Sequence, residues 1–140
     1  MTHPDRVHHL NSKPIPQRGL VVYWMQASQR AHGNHALEYA IGEANRLAKP
    51  LIVYFGITDD YPGANLRHYA FMIDGLKETA RRLEKRGIQF VMVHAEPPIG
   101  IRTLAEQAAL IVTDIGYTRV QRQWRTIVAT ESPCAFVAVE

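Results

Sequence analysis

Apolar and polar positions follow two rhythms along this chain. Nearly continuous apolar runs of strand length occupy Leu20–Met25, Leu51–Phe55, Ile88–His94, Leu110–Thr113 and Cys134–Val139. They are rich in β-branched and aromatic residues and show no in-out alternation, so they read as strands buried on both faces. Between them, apolar residues recur at helical spacing. Leu37, Ile41, Ala44 and Leu47 follow Asn34, a good N-cap, and Lys49 and Pro50 end that helix. Leu66, Tyr69, Ile73, Leu76, Ala80 and Leu83 form one face of a helix from about Ala64 to Arg86, with Gly87 as its stop. Pro97 and Pro98 open a short helix running through Leu104 and Ala108, and Val120, Trp124, Ile127 and Val128 face inward from Arg119 to about Glu131.

Strict alternation of buried strands with amphipathic helices selects a three-layer α/β/α Rossmann-like (HUP-type) domain, because each crossover must lie on a sheet face. The expected sheet has five parallel strands in the order 3-2-1-4-5. Residues 20–140 form this domain, whereas residues 1–19, with Pro4, Pro14 and Pro16 and no periodic pattern, read as a flexible tail. The chain stops just after its fifth predicted strand with no closing helix, which leaves one side of the sheet open to self-association.

Composition narrows the class. The chain has 140 residues, 46% hydrophobic and 21% charged, enough for one ordinary core. A lone cysteine, Cys134, excludes an internal disulfide and a cysteine zinc site, and a reducing cytoplasm is the natural setting. No secretory signal is visible, and no apolar stretch nears the roughly 20 residues needed to cross a bilayer, so no membrane partner is expected. The net charge of +3 permits contact with nucleic acid but does not by itself argue for it.

Ligands of such sheets usually bind beyond the carboxyl ends of the strands, here the segments Gln26–Gly33, Gly56–Gly63, Ala95–Gly100 and Asp114–Thr118. None carries a dinucleotide glycine turn, a Walker loop or a nucleophile elbow, and Cys134 falls in a buried run, so no catalytic residue is assigned. His32 and His35, even with Glu38, read as solvated helix-start residues, and no metal is expected. Asp59 and Asp60 read as turn-capping carboxylates. Asp114, followed by Tyr117 and Arg119, could meet a polar ligand or could equally cap the next helix. Arg119, Arg122, Trp124 and Arg125 mix cations with an aromatic, but Trp124 shares the apolar face, leaving the arginines as the solvated side.

Three segments together resemble the class II cyclobutane-pyrimidine-dimer DNA photolyases. In Val21–Ala40 the matching residues are Tyr23, Trp24, Met25, Gln29, Arg30, Asn34, Ala36 and Leu37. In Asn65–Phe90 they are Arg67, His68, Tyr69, Phe71, Met72, Gly75 and Leu76, and Val112–Trp124 resembles the family's Val-Thr-Asp strand end and Arg-x-x-Arg-Gln-Trp helix. The chain departs at Ala27 and Ser28, where the family has Arg-Asp, and at Gly116, Tyr117 and Thr118, where it has Ser-Pro-Leu.

The resemblance implies the N-terminal α/β domain of an enzyme that binds FAD in a C-terminal helical domain and splits pyrimidine dimers by light-driven electron transfer. That domain is not encoded in these residues, so the chain alone is expected to be inactive and to meet damaged DNA only through the full-length enzyme. Its implied partner is the FAD-binding domain. Its implied ligand is a light-harvesting antenna, a deazaflavin or a folate, held near Trp24, Met25, Arg30, Phe55, Asp114 and Tyr117. The alternative is a stand-alone nucleotide-binding or stress-protein-like α/β module, against which stands the missing glycine-rich loop.

Overall fold

Each buried run is followed by a crossover that returns the chain to the same end of the sheet, the condition for parallel pairing. The structure, a computed structural model, describes residues 4–17, 19–26, 33–57, 66–94, 97–115 and 119–140. After a short 3-10 turn at Pro4–Arg6 come β1 (Val7–His9), β2 (Leu20–Trp24), α1 (His35–Leu47), β3 (Leu51–Ile57), α2 (Leu66–Lys85), β4 (Gln89–His94), α3 (Pro97–Ala105), β5 (Ala108–Asp114), α4 (Arg119–Glu131) and β6 (Ala135–Val139).

The sheet has six strands, not the expected five, and its order is β1-β6-β5-β2-β3-β4. Five strands pair in parallel, and the sixth, β1, pairs antiparallel with β6, Val7 opposite Val139 and His9 opposite Val137. The expected order lacked β1 because a three-residue strand carries too little apolar pattern to stand out among prolines. The same strand corrects the expectation of an open side, since it occupies the β6 edge.

Alternating side chains of the central strands serve two cores. Val21, Tyr23, Met25, Val53, Phe55, Leu110 and Val112 meet Leu37 and Ala40 of α1 and Leu76 and Leu83 of α2. On the other face, Val22, Trp24, Tyr54, Ile111 and Phe136 meet Ile101 and Ala105 of α3 and Val128 of α4. Burying such a side chain fully is worth about 1.5–3 kcal/mol, so the two faces together outweigh any single surface contact. Trp124, read as an inward residue, packs half-buried against this second core.

Local chemistry sets the ends of the elements. The Asn34 side chain accepts from the Leu37 amide at 3.1 Å, as the N-cap reading of α1 requires. Gly87, at φ +76, lets the Ile88 amide reach back to the Leu83 carbonyl at 2.9 Å and closes α2. The helix begun at Pro97 ends earlier than expected: Ala108 opens β5, because Leu20 N–H donates to the Gln107 carbonyl at 3.0 Å and draws the chain into the sheet.

The segment expected as a tail is stitched down. Leu10 N–H donates to the Phe136 carbonyl at 2.8 Å, and Glu140 N–H to the Arg6 carbonyl at 2.9 Å. The Asn11 amide donates to the Cys134 carbonyl at 3.1 Å and the Ala129 carbonyl at 3.3 Å. Its oxygen accepts from the Phe136 and Lys13 amides, both at 3.2 Å. Lys13 Nζ donates to the carbonyls of Thr130, at 2.9 Å, and Ser132, placing a cation at the negative end of α4. Asn11→Ala is therefore expected to lower unfolding free energy by about 2 kcal/mol in urea denaturation, as buried backbone groups lose partners. A loss under half that would show that the stitching contributes little.

Candidate ligand site at the carboxyl edge of the sheet

β2 and β5 lie side by side, with Tyr23 opposite Val112 and Trp24 opposite Thr113, so the polar residues that end them meet at one edge. Asp114, only 3% exposed, accepts the Tyr23 hydroxyl at 2.8 Å and the Gln26 amide at 3.1 and 3.2 Å. The Tyr23 oxygen in turn accepts from the Asn34 side-chain amide at 2.9 Å. One continuous chain of hydrogen bonds thus joins the end of β5, the end of β2 and the N-cap of α1. A carboxylate removed from water needs such donors, and bonds to a charged group contribute about 1.5–3 kcal/mol each.

A second set of polar groups is less well satisfied. Gln26 Nε2 donates to Thr113 Oγ1 at 2.8 Å, and Thr113 Oγ1 donates to the Trp24 carbonyl at 2.8 Å. Trp24 Nε1 and Gln26 Oε1, both buried, have no partner among the described residues, and neither has the Tyr54 hydroxyl on the neighbouring strand. Trp24 stacks on Phe136, with ring centroids 6.1 Å apart. Tyr54 reaches α3 at Gly100, where a Cβ would come within 1.8 Å of the phenol oxygen, so only glycine admits this tyrosine. Burial pushes the Tyr54 phenol up to about 12 and raises the Cys134 thiol as well, which leaves that thiol an inert core residue.

Of the six residues expected to hold a ligand, the four among the described residues are divided between the two faces and the edge of the sheet. Met25 and Phe55 are buried on the α1/α2 face, whereas Trp24 is buried on the α3/α4 face. Asp114 lies at the edge with both oxygens engaged by Tyr23 and Gln26. Arg30 and Tyr117 lie outside the described residues, as do His32, Asp59 and Asp60. The residues that organise the edge, Tyr23, Gln26, Thr113 and Tyr54 with Gly100, were not among the six expected to hold a ligand. Polar Gln26 and Thr113 at the ends of apolar runs were the available signal. Among the described residues no cluster of histidine, cysteine and acidic side chains could hold a metal, and no helix is long and apolar enough to cross a membrane.

A wound, mostly parallel sheet with helices on both faces and a buried polar edge at its carboxyl ends defines a Rossmann-like α/β domain. A family model described as DNA photolyase matches residues 21–140, and the chain belongs to that family as its N-terminal α/β domain. It is 53% identical over 125 residues to a deoxyribodipyrimidine photo-lyase of Methanothermobacter thermautotrophicus, covering 89% of this chain and 28% of that protein. The chain therefore spans little more than a quarter of that relative's length. An archaeal photolyase from Sulfolobus tokodaii, solved with two FAD molecules, superposes with a TM-score of 0.72 at 20% identity, over 86% of this chain and 29% of that one. A universal stress protein from Archaeoglobus fulgidus in complex with dAMP reaches 0.57 at 19% identity, over 87% of this chain and 98% of that one, a likeness of fold alone.

Two buried tyrosines on adjacent strands should respond oppositely to loss of their hydroxyls. Tyr23→Phe, which deprives Asp114 and Asn34 of a partner, is expected to destabilise by about 1–3 kcal/mol. Tyr54→Phe, which removes an orphaned hydroxyl, should be neutral or slightly stabilising; equal losses in thermal unfolding would contradict this. Because the Tyr54 pKa is about 12 in the folded chain against 10.0 ordinarily, the unfolded chain gives up its proton first. This contribution is complete below pH 10.0, falls as pH rises towards about 12, and should be absent from Tyr54→Phe in a pH series of unfolding midpoints.

Proposed function

We propose that the chain serves as the N-terminal domain of a class II cyclobutane-pyrimidine-dimer photolyase. In this reading it scaffolds an FAD-bearing catalytic domain and holds a light-harvesting antenna at its carboxyl edge. The supporting observation is that two residues at the end of one strand, Trp24 and Gln26, carry orphaned groups among the described residues: a buried donor, Trp24 Nε1, and a buried acceptor, Gln26 Oε1. Leaving such groups unpaired costs about 1–3 kcal/mol each, a penalty that a complementary ligand would remove. The amide edge of a deazaflavin, pterin or flavin ring offers the matching C=O acceptor and N–H donor.

The residues present fit that chemistry. Trp24 and Gln26 would hold the ring's amide edge, and Thr113 would fix the Gln26 amide through its bond to Nε2. Met25 and Phe55 fill the opposite face beneath the edge and support it from below. An antenna held there would absorb light and pass excitation to the catalytic flavin. The dimer-splitting activity, the flavin and the damaged DNA belong, on this reading, to the full-length enzyme, and a cytoplasmic setting accompanies it.

Titrating the purified chain with a deazaflavin, a folate or FAD, and following ligand fluorescence, tests the proposal. Saturable binding of one of them is expected, weakened at least about tenfold in Gln26→Leu as an unpaired ligand N–H loses its acceptor. Absence of binding by all three, or binding indifferent to Gln26→Leu and Trp24→Phe, would overturn the antenna assignment. Illuminated with FAD, the chain alone should leave thymine dimers intact.

A further inference from the structure

Two groups of arginines on the helices of this domain differ in their partners. Arg46 pairs with Glu43, Arg81 and Arg82 with Glu78, Arg86 with Glu38, and Arg102 with Glu131. Arg119 and Arg122, both exposed on α4, have no carboxylate partner among the described residues. α4 carries three arginines and one glutamate, so it holds two of the chain's three net positive charges. That glutamate, Glu131, sits at the far end and is occupied by Arg102.

Geometry makes these cations one surface. Arg119, Arg122 and Arg125 are spaced three apart and wind over about 120° of the helix circumference. The opposite side of α4 is anchored by Val128, packed in the core, and by buried Gln121. Beside the arginines stand the exposed side chains of Gln123, Thr126 and Thr130. Two shallow depressions flank the row that Arg122 and Thr126 share. One, of about 440 Å³, runs along Leu10, Arg125 and Ala129; the other, of about 520 Å³, lies beside Arg119, Gln123 and Ile127.

Cations without acids in the opening turns of a helix gain nothing from the helix dipole, which favours negative charge there. Their placement is therefore a standing electrostatic cost that an external polyanion would reverse. Arginine interleaved with neutral hydrogen-bonding side chains is the composition that meets phosphodiester oxygens. A lipid surface would call for an apolar stripe, and among the described residues of this face only Ile127 is a large exposed hydrophobic one. A protein partner would call for an aromatic or aliphatic centre, which the exposed residues do not form.

We infer that the outer face of α4, through Arg119 and Arg122, binds the phosphate backbone of nucleic acid without regard to sequence. This contact goes beyond the antenna and scaffold reading and does not rest on it. Two cations on phosphates would give a weak interaction with a log-log salt slope of about −2.

Fluorescence anisotropy of an undamaged labelled duplex, titrated with the chain at several low salt concentrations, tests the inference. Saturable binding is expected, with log affinity falling linearly against log salt. Arg119→Glu/Arg122→Glu should weaken binding at least about tenfold and reduce the salt slope by about 2. The control Arg81→Glu/Arg82→Glu makes the same charge change on α2 and should stay within about twofold of wild type, because exposed pairs away from a contact contribute little. Circular dichroism of both variants confirms that they fold. No binding by wild type, equal weakening by both variants, or binding to phosphatidylserine vesicles but not to duplex would each overturn the inference.

Discussion

A carboxylate buried at the end of a strand cannot be satisfied by that strand's own backbone ladder, and Asp114 solves this by drawing donors from two other elements. Tyr23 of β2 gives its hydroxyl and Gln26 its amide. Because Asn34 bonds the Tyr23 oxygen while also capping α1, the helix start is tied to the same point. Removing one donor would leave part of a charge unpaired in a poorly solvated place, a loss larger than that of a neutral hydrogen bond. The edge where a ligand of this fold class would sit is thereby shaped before any ligand arrives.

That constraint also explains the division of labour between the sheet faces. The α1/α2 side is closed by aliphatic packing under a satisfied network, whereas the α3/α4 side keeps Trp24 Nε1, Gln26 Oε1 and the Tyr54 hydroxyl unpaired. Native interiors tolerate few such groups, so three on two adjacent strands and the residue just past one of them distinguish this side from an ordinary core. On the proposed reading, this asymmetry would seat the amide edge of a pigment.

Much of the fold was legible because the parallel strands are buried on both faces and read as unbroken apolar runs. α1 was readable from Asn34, the end of α2 from Gly87 and α4 from its inward residues, each a local signal. β1 was not, since Val7–His9 is held by partners more than a hundred positions away, Val139 and Val137 among them, and has no pattern of its own. The site was legible only in part. Asp114 stood out as a carboxylate at a strand end, yet its engagement with Tyr23 depends on sheet register. Nothing in the sequence around Gly100 announces that it makes room for Tyr54. Trp24 and Met25, neighbours in sequence, lie on opposite faces of the sheet through strand alternation.

Native-state hydrogen exchange at the Gln26 amide measures the central interaction most directly. That amide lies just past β2, and its described partner is Asp114. Protection approaching that of the β5 amides is the result this account predicts, because the bond should break only when the sheet opens. Exchange at the rate of an unprotected loop amide, with β5 still protected, would contradict it.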